Sequence, residues 1–242
     1  MRYSMADVRA SYDAEKAREE WYGDWMSAAV YRRISFFITV PLLNLSVTAS
    51  QVTIVGLLMA LALPVVALFA GPYAHLGVAT LAIAFVVLDC VDGNIARVTH
   101  TASKSGHYLD FFTDIVFRIT LYAAVGILAD REVAGVLGGQ GLALGLLAAL
   151  LAIVARLSRV FTRQLSPGDV FDPAGEGAAP KGFIDGFLLP ALSGLDRLLP
   201  ILVLAAKWWG GLGWVVLWLV VYSAADLAYT QYAVFRRLAA PG

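Results

Sequence analysis

The chain has 242 residues, of which 60% are hydrophobic and only 15% are charged. An ordinary soluble domain is about half apolar and about a quarter charged, so this composition excludes a typical soluble protein and indicates an integral membrane protein. The 18 basic and 18 acidic residues cancel, which leaves no global field of the kind that attracts nucleic acid.

The first 45 residues are predicted to form helices on the membrane surface. Residues 4–28 are charged with interspersed aromatic side chains, and residues 29–45 combine an Arg pair with an apolar run too short to span comfortably. Both features are typical of interfacial helices, and we expect the second helix to be partly embedded. For residues 4–28, a solvated helical extension that only caps the protein is an equally good interpretation.

Six apolar segments then follow, each near the ~20 residues that a bilayer requires. They lie at about 51–70, 76–98, 108–129, 140–162, 184–206 and 212–235. Ser46, Thr48 and Ser50 are candidates for the N-cap before the first of them. The sequence therefore predicts an all-α membrane fold, with surface helices in residues 1–45 and a six-helix transmembrane domain in residues 46–242.

The placement of Lys and Arg predicts the orientation, because short cytoplasmic loops carry an excess of both. With the N-terminus inside, the opposite side holds Arg131 and Lys207, with Arg197 as a further candidate. The cytoplasmic side holds the arginine-rich N-terminal region and Arg97, Lys104, Arg156, Arg159, Arg163, Lys181, Arg236 and Arg237. We therefore expect a protein of the cell membrane.

Two turn-rich segments interrupt the predicted helices. The glycine-rich run at 135–145 lacks the Lys-Ser/Thr ending and the preceding strand of a phosphate-binding loop, so it predicts a turn leading into close helix packing. Residues 164–182 form a long connection on the expected cytoplasmic side. A lid over a site and an inert mobile loop are equally good interpretations of this connection.

Four aspartates lie within otherwise apolar helical sequence between residues 88 and 114. Asp89 and Asp92 are three residues apart and Asp110 and Asp114 are four apart, so each pair projects from one face of its helix. Carboxylates near hydrocarbon require a neutralising partner. Four oxygen ligands suit Mg²⁺ or Mn²⁺ and can bridge two ions, which stabilise the attacking and leaving oxygens in a displacement at phosphorus.

The residues after Asp92 favour a phosphate-bearing ligand. Gly93 and Ala96 remove side-chain bulk, which lets a ligand approach the helix backbone closely. Arg97, one turn beyond Asp92, can give a forked and permanently charged contact to phosphate. These residues and the aspartates belong together in the site that the sequence predicts at the cytoplasmic membrane boundary.

The full pattern resembles the signature of the CDP-alcohol phosphotransferase family in every fixed residue and spacing. It reads Asp89-x2-Asp92-Gly93-x2-Ala96-Arg97-x8-Gly106-x3-Asp110-x3-Asp114. The resemblance implies that a hydroxyl attacks the β-phosphate of a CDP-linked alcohol, that CMP leaves, and that a phosphodiester forms. It also implies a homodimer.

The resemblance assigns roles to individual residues. Asp89, Asp92 and Asp110 would hold two ions of Mg²⁺ or Mn²⁺, and Asp114 would be both a metal ligand and the general base for the acceptor hydroxyl. The nucleotide and pyrophosphate would be lined by Gly93, Ala96, Arg97 and Gly106, with Ser103 in the connecting turn as a weaker candidate.

The chain departs from many relatives at two places. Thr48-Ala49-Ser50 stands where a Thr-Pro-Asn or Thr-Pro-Asp turn is common, so Ser50 and Thr53 are the polar candidates left for donor contacts. Ile115 stands where many members have Arg after the last aspartate, which weakens assignment to a subgroup.

Arginines at the end of the fourth predicted span are candidates for binding the acceptor. Arg156, Arg159 and Arg163 recur at helical spacing, and they resemble in position the basic residues that bind an acceptor phosphate in inositol-phosphate-using relatives. Lys104 could join them. Anchoring of the helix at lipid headgroups is the alternative interpretation.

The predicted function is transfer of a phosphatidyl group from CDP-diacylglycerol to a polar alcohol, such as an inositol phosphate or glycerol phosphate, in phospholipid biosynthesis. A close alternative uses a soluble CDP-alcohol as donor and a lipid hydroxyl as acceptor. Cation transport is a third hypothesis, since intramembrane carboxylates often line ion paths. A membrane prenyltransferase is a fourth, although its usual second aspartate-rich motif is absent after residue 114.

Overall fold

The computed structural model describes residues 3–132, 136–165 and 195–238, and every regular element within these ranges is helical. Short π or 3₁₀ segments at Ser27–Tyr31, Gly71–Tyr73 and Leu195–Leu198 precede three of the helices. The helices are α1 (Met5–Ala10), α2 (Ala14–Gly23), α3 (Arg32–Asn44), α4 (Ala49–Phe69), α5 (Ala74–Val98), α6 (Lys104–Asp130), α7 (Gly141–Leu165), α8 (Leu199–Trp209) and α9 (Leu212–Leu238).

Five of these segments are long and apolar enough to cross a membrane, which confirms an all-α integral membrane protein. They are Ala49–Phe69, Gly71–Val98, Lys104–Asp130, Gly141–Thr162 and Leu212–Arg236.

The sixth predicted span, at 184–206, is not confirmed. Its first part, residues 184–194, lies outside the described residues, as does most of the expected lid, from residue 166 to residue 182. Its described part contains α8, whose 11 residues rise only ~16 Å, about half the thickness of a bilayer core.

The predicted surface region is helical and packs against α5 through an unusually polar face. Helix α3 buries Arg32, Ser35 and Thr39 at helical spacing, while Ile34 and Phe37 on its other side are exposed. This arrangement reverses that of a helix on a soluble protein, whose apolar stripe faces the core. The exposed apolar side chains suit the membrane surface, as expected for a partly embedded helix.

Helix α6 is the centre of the bundle and packs against α4, α7 and α9. Its contact with α7 depends on glycine, because a Cβ added to Gly126 would lie 2.3 Å from the Gly141 carbonyl oxygen. A Cβ on Gly145 would likewise lie 2.4 Å from the Tyr122 carbonyl oxygen. The prediction that the glycine-rich run leads into close helix packing is confirmed for its described part, from residue 136 onward.

Two acidic residues at the end of α6 organise the turns at one end of the bundle. The Asp130 carboxylate accepts hydrogen bonds from the backbone N–H groups of Gly141, at 2.6 Å, and Leu142, at 3.0 Å. Glu132 accepts from the Leu212 N–H at 3.0 Å. The N-termini of α7 and α9 are therefore capped by the last residue of α6 and by the turn that follows it.

The start of α4 is set by one of the three predicted cap residues. Thr48 accepts from the Gln51 N–H, and the Gln51 side chain accepts from the Thr48 N–H at 2.9 Å, which completes a capping box. Ser46 lies before the helix with a φ of 58°, and Ser50 is an exposed residue within the first turn.

Candidate active site

The turn between α5 and α6 brings the four aspartates to one level of the bundle. Helix α5 ends at Val98, and Ser103 caps α6 by accepting from the Gly106 N–H at 3.1 Å. The chain therefore reverses direction within a few residues. As a result, Asp89 lies close enough to Asp92, Asp110 and Asp114 to interact with their charges.

Two arginines from distant parts of the chain contact this cluster. Arg156 of α7 forms an ion pair with Asp114 Oδ2, and its guanidinium lies 5.0 Å from the centre of the Phe111 ring. Arg197, two residues before α8, places Nη2 3.7 Å from Asp114 Oδ1 and 3.8 Å from Asp89 Oδ2. The negative charge of the cluster is therefore partly balanced by the protein itself.

The position of Arg197 corrects one expectation from the sequence. The distribution of Lys and Arg made Arg197 a candidate for the side of Arg131 and Lys207, opposite the aspartates. In the structure Arg197 instead contacts two of those aspartates. Its Nε also donates to Asp24 Oδ2 at 3.1 Å. The positive-inside rule describes charges in loops, whereas Arg197 lies against carboxylates of the protein that stabilise its charge.

Asp92 is held by the first spanning helix. Thr53 of α4 donates a hydrogen bond to Asp92 Oδ2 at 2.7 Å, and both side chains are buried. Of the two polar residues expected to contact the donor, Thr53 thus reaches the cluster directly through Asp92. Ser50 is exposed on the preceding turn and stays a predicted donor ligand.

The donor set suits a hard divalent cation, although the side chains are not gathered around one point. Among the described residues, no three His, Cys, Asp or Glu side chains form a ready metal site. Carboxylate oxygens are nevertheless the ligands that Mg²⁺ and Mn²⁺ prefer. Arg156 and Arg197 contact carboxylates to which such a cation would bind. The residues fit such a cation by their chemistry, and Asp89, Asp92, Asp110 and Asp114 are the candidate ligands.

Arg97 lies five residues after Asp92 on α5, and among the described residues its side chain bonds to a neutral group. Its Nη2 donates to the amide oxygen of Asn94 at 2.8 Å, and within the described part of the chain its buried Nε has no hydrogen-bond partner. A Cβ added to Gly93 would lie 3.3 Å from Nη1. The absence of a side chain at Gly93 therefore makes room for the guanidinium, which is suited to bind an anion.

The other predicted acceptor residues have different surroundings. Arg159 forms a two-pronged ion pair with Asp226 of α9, at 2.8 and 3.2 Å, and donates to Thr230 at 2.6 Å. Lys104 is exposed at the start of α6, and the side chain of Arg163 lies outside the described part of the chain. Of the predicted basic residues, the structure brings Arg156 to the aspartates and joins Arg159 to a neighbouring helix.

Sequence reasoning missed several polar residues that take part in the site. Arg197 and Arg118 line a small pocket with Asp114, Phe117, Leu121 and Tyr122. Asn94 and Arg32 are buried behind Arg97. A polar residue within an apolar helix was the available signal for Asn94 and Arg118, because such residues rarely face lipid.

Comparison with curated protein sequences finds no significant match. The family model for CDP-alcohol phosphatidyltransferases matches residues 46–223, which is most of the chain. The matched region contains the four aspartates, Arg97 and both arginines that contact the aspartates. The chain therefore belongs to the CDP-alcohol phosphatidyltransferase family, whose members transfer a phosphatidyl group from a CDP-alcohol.

Proposed function

We propose that this protein transfers a phosphatidyl group from CDP-diacylglycerol to a polar alcohol that itself carries a phosphate, with release of CMP. The acceptor would be of the inositol phosphate or glycerol phosphate type, and the site would face the cytoplasm. The observation that carries this proposal is the meeting of the motif carboxylates with Arg156, which pairs with Asp114, and with Arg197, which contacts Asp89 and Asp114.

The proposed reaction transfers one proton to the protein and releases one leaving group, CMP. Asp114 takes the proton of the acceptor hydroxyl, the oxygen attacks the β-phosphorus of the donor, and the bond to the α-phosphate oxygen breaks so that CMP leaves. A general base must lie within about 3 Å of the hydroxyl that it deprotonates. Asp114 lies between Arg156 and Arg197 and would meet that requirement for an acceptor hydroxyl bound beside its carboxylate. Two bound ions of Mg²⁺ or Mn²⁺ would stabilise the charge on the attacking and leaving oxygens.

The basic residues around Asp114 support an acceptor that carries phosphate. Arg118 and Arg197 line the same pocket as Asp114, and Arg156 contacts its carboxylate. Several guanidinium groups around Asp114 favour a phosphate over a neutral alcohol. Arg156 is therefore the main candidate for acceptor binding because it lies at the aspartate cluster, with Lys104 in an outer contact, whereas Arg159 is joined to Asp226 on a neighbouring helix.

Release of CMP by the purified protein tests this proposal. We expect release with Mg²⁺ and CDP-diacylglycerol when inositol phosphate or glycerol phosphate is added, and much less with inositol or serine, which lack a phosphate. Release only with a soluble CDP-alcohol and a lipid hydroxyl would show that the donor and acceptor are exchanged. Metal flux into liposomes without CMP release would contradict the proposal and favour transport.

Removal of the metal should stop the reaction. Treatment with EDTA is expected to lower CMP release to background, and added Mg²⁺ or Mn²⁺ should restore it. The negatively charged aspartates repel a pyrophosphate unless cations lie between them. The fold should survive, since Arg156 and Arg197 balance part of the negative charge of the carboxylates. Thermal unfolding measured on the same samples checks this, and full activity in EDTA would exclude a metal-dependent mechanism.

A further inference from the structure

A buried asparagine joins the surface helix α3 to Arg97. The Asn94 side chain has no exposed surface, and its Oδ1 accepts from Arg97 Nη2 at 2.8 Å and from Arg32 Nη1 at 2.9 Å. Its Nδ2 donates to Ser35 Oγ at 3.0 Å and to Thr39 Oγ1 at 3.1 Å. The amide therefore uses both of its donors and both acceptor positions, which fixes its orientation.

Arg32 is held independently of Asn94. It forms an ion pair with Glu20 of α2, with Nε at 3.0 Å from Oε2, and its Nη1 also donates to the Cys90 carbonyl oxygen at 2.8 Å. Tyr12 donates to Glu20 Oε2 at 2.9 Å. Burial and the Glu20 charge raise the pKa of Tyr12 to about 12, so the phenol keeps this proton.

This arrangement leaves the charge of Arg97 for a ligand. Glu20 neutralises Arg32, so Arg97 is next to a neutral amide and a compensated ion pair. An aspartate at position 94 could form ion pairs with both arginines and would compete with an anionic ligand for Arg97. An apolar residue would leave the Arg97 guanidinium without a fixed orientation. Asparagine orients Arg97 through a neutral oxygen, so the positive charge of Arg97 is not paired with a carboxylate at this position.

We propose that Asn94, anchored by Arg32 and Glu20, is a positioning residue that aims the Arg97 guanidinium at a phosphate of the CDP-linked donor. This inference rests on the proposed function. Asn94 is buried behind Arg97, so it acts through that residue and makes no contact with the substrate. The N-terminal surface region thereby contributes to donor binding through contacts buried inside the protein.

A double-mutant cycle on the full-length protein tests this inference. Binding of CDP by calorimetry and the KM for CDP-diacylglycerol are measured for Asn94→Ala, Arg97→Ala and the double variant. Loss of one hydrogen bond to a charged group corresponds to about tenfold or more in affinity, so we expect Asn94→Ala to weaken donor binding about tenfold with a smaller change in kcat. The double variant should bind no more weakly than Arg97→Ala, since both changes remove the same interaction.

Asn44→Ala is the matched control. Asn44 also uses its amide to fix backbone groups, those of Tyr3 and Val40, but it lies at the exposed end of α3. We expect unchanged CDP binding for this variant. If Asn94→Ala does not fold, Asn94→Asp keeps an oxygen for both arginines and should still weaken CDP binding, because its carboxylate competes with phosphate.

Each result bears on the inference. Additive losses in the double variant, or wild-type affinity in Asn94→Asp and Asn94→Ala, would overturn the positioning role while leaving the proposed function intact. If the unmodified protein neither binds CDP nor releases CMP, the proposed function fails first and the inference fails with it.

Discussion

Asp114→Asn is expected to lower CMP release by about 10² to 10⁴-fold, the range that a positioned general base contributes. The amide has nearly the shape of the carboxylate but cannot take up the proton of the acceptor hydroxyl. It also removes one negative charge from the aspartate cluster that Asp114 shares with Asp89 and Asp110. CMP release at saturating donor and acceptor is the measurement, because it reports the chemical step more directly than binding does.

Asp130→Asn is the matched control for this prediction. Asp130 lies on the same helix, and an amide oxygen there can still accept from the Gly141 N–H group, although the bond from the Leu142 N–H to the second oxygen is lost. Position 130 is 16 residues beyond Asp114, or ~24 Å along the helix, so this variant should keep its activity. Comparable CMP release by Asp114→Asn and the wild-type protein would mean that another group is the base.

Stability must be compared in the same experiment, because Asp114 is buried and paired with Arg156. Removing one partner of a buried ion pair can cost 3–5 kcal/mol, roughly, when the other charge is left alone. The asparagine oxygen can still accept from Arg156, and Asp89 remains near Arg197. We therefore expect a folded variant whose loss of activity exceeds any loss of unfolding temperature.

The sequence was sufficient for the parts of the site that depend on helical periodicity. The spacing of Asp89, Asp92, Asp110 and Asp114 places each pair on one helix face, and a short turn between two apolar helices brings the faces together. The start of α6 at Ser103 is equally local, because a serine accepts from an N–H three residues later. Such features need no knowledge of the distant chain.

Contacts between distant segments could not be predicted in this way. Arg197 is more than 80 residues from Asp114 in the sequence, and its approach depends on where α8 begins within the bundle. The partner of Arg159 on α9 is likewise fixed only by the packing of α7 against α9. A basic residue near the end of an apolar segment has the same sequence pattern whether it meets a headgroup or a carboxylate.

The surface region was predicted as helical, but its polar interior was not. An interfacial helix is expected to bury its apolar face in the membrane. That expectation does not predict which residues the helix places against the rest of the protein. In α3 that side carries Arg32, Ser35 and Thr39, which meet Asn94 of α5. The polar groups of two helices satisfy one another here, and neither helix shows this pairing when it is considered alone.

The second large effect is expected for Gly126→Ala, which should strongly destabilise the bundle. The added Cβ would lie 2.3 Å from the Gly141 carbonyl oxygen and 2.8 Å from the Leu142 Cα. Both are backbone atoms of α7, so relief requires movement of the whole helix. Overpacking of this kind costs about 1–3 kcal/mol or more. For a chain of this size we expect the unfolding temperature to fall by roughly 5–10 °C.

Gly56→Ala makes the same chemical change within a neighbouring spanning helix and serves as its control. A Cβ at Gly56 would lie 3.6 Å from the Phe85 ring, which is ordinary van der Waals contact. Alanine is also the better helix former by up to about 1 kcal/mol, so this variant should unfold at or slightly above the wild-type temperature. Thermal unfolding in detergent compares the three proteins directly. An equal response of both variants would mean that the close approach of α6 and α7 does not set stability, since of these two substitutions only Gly126→Ala changes that contact.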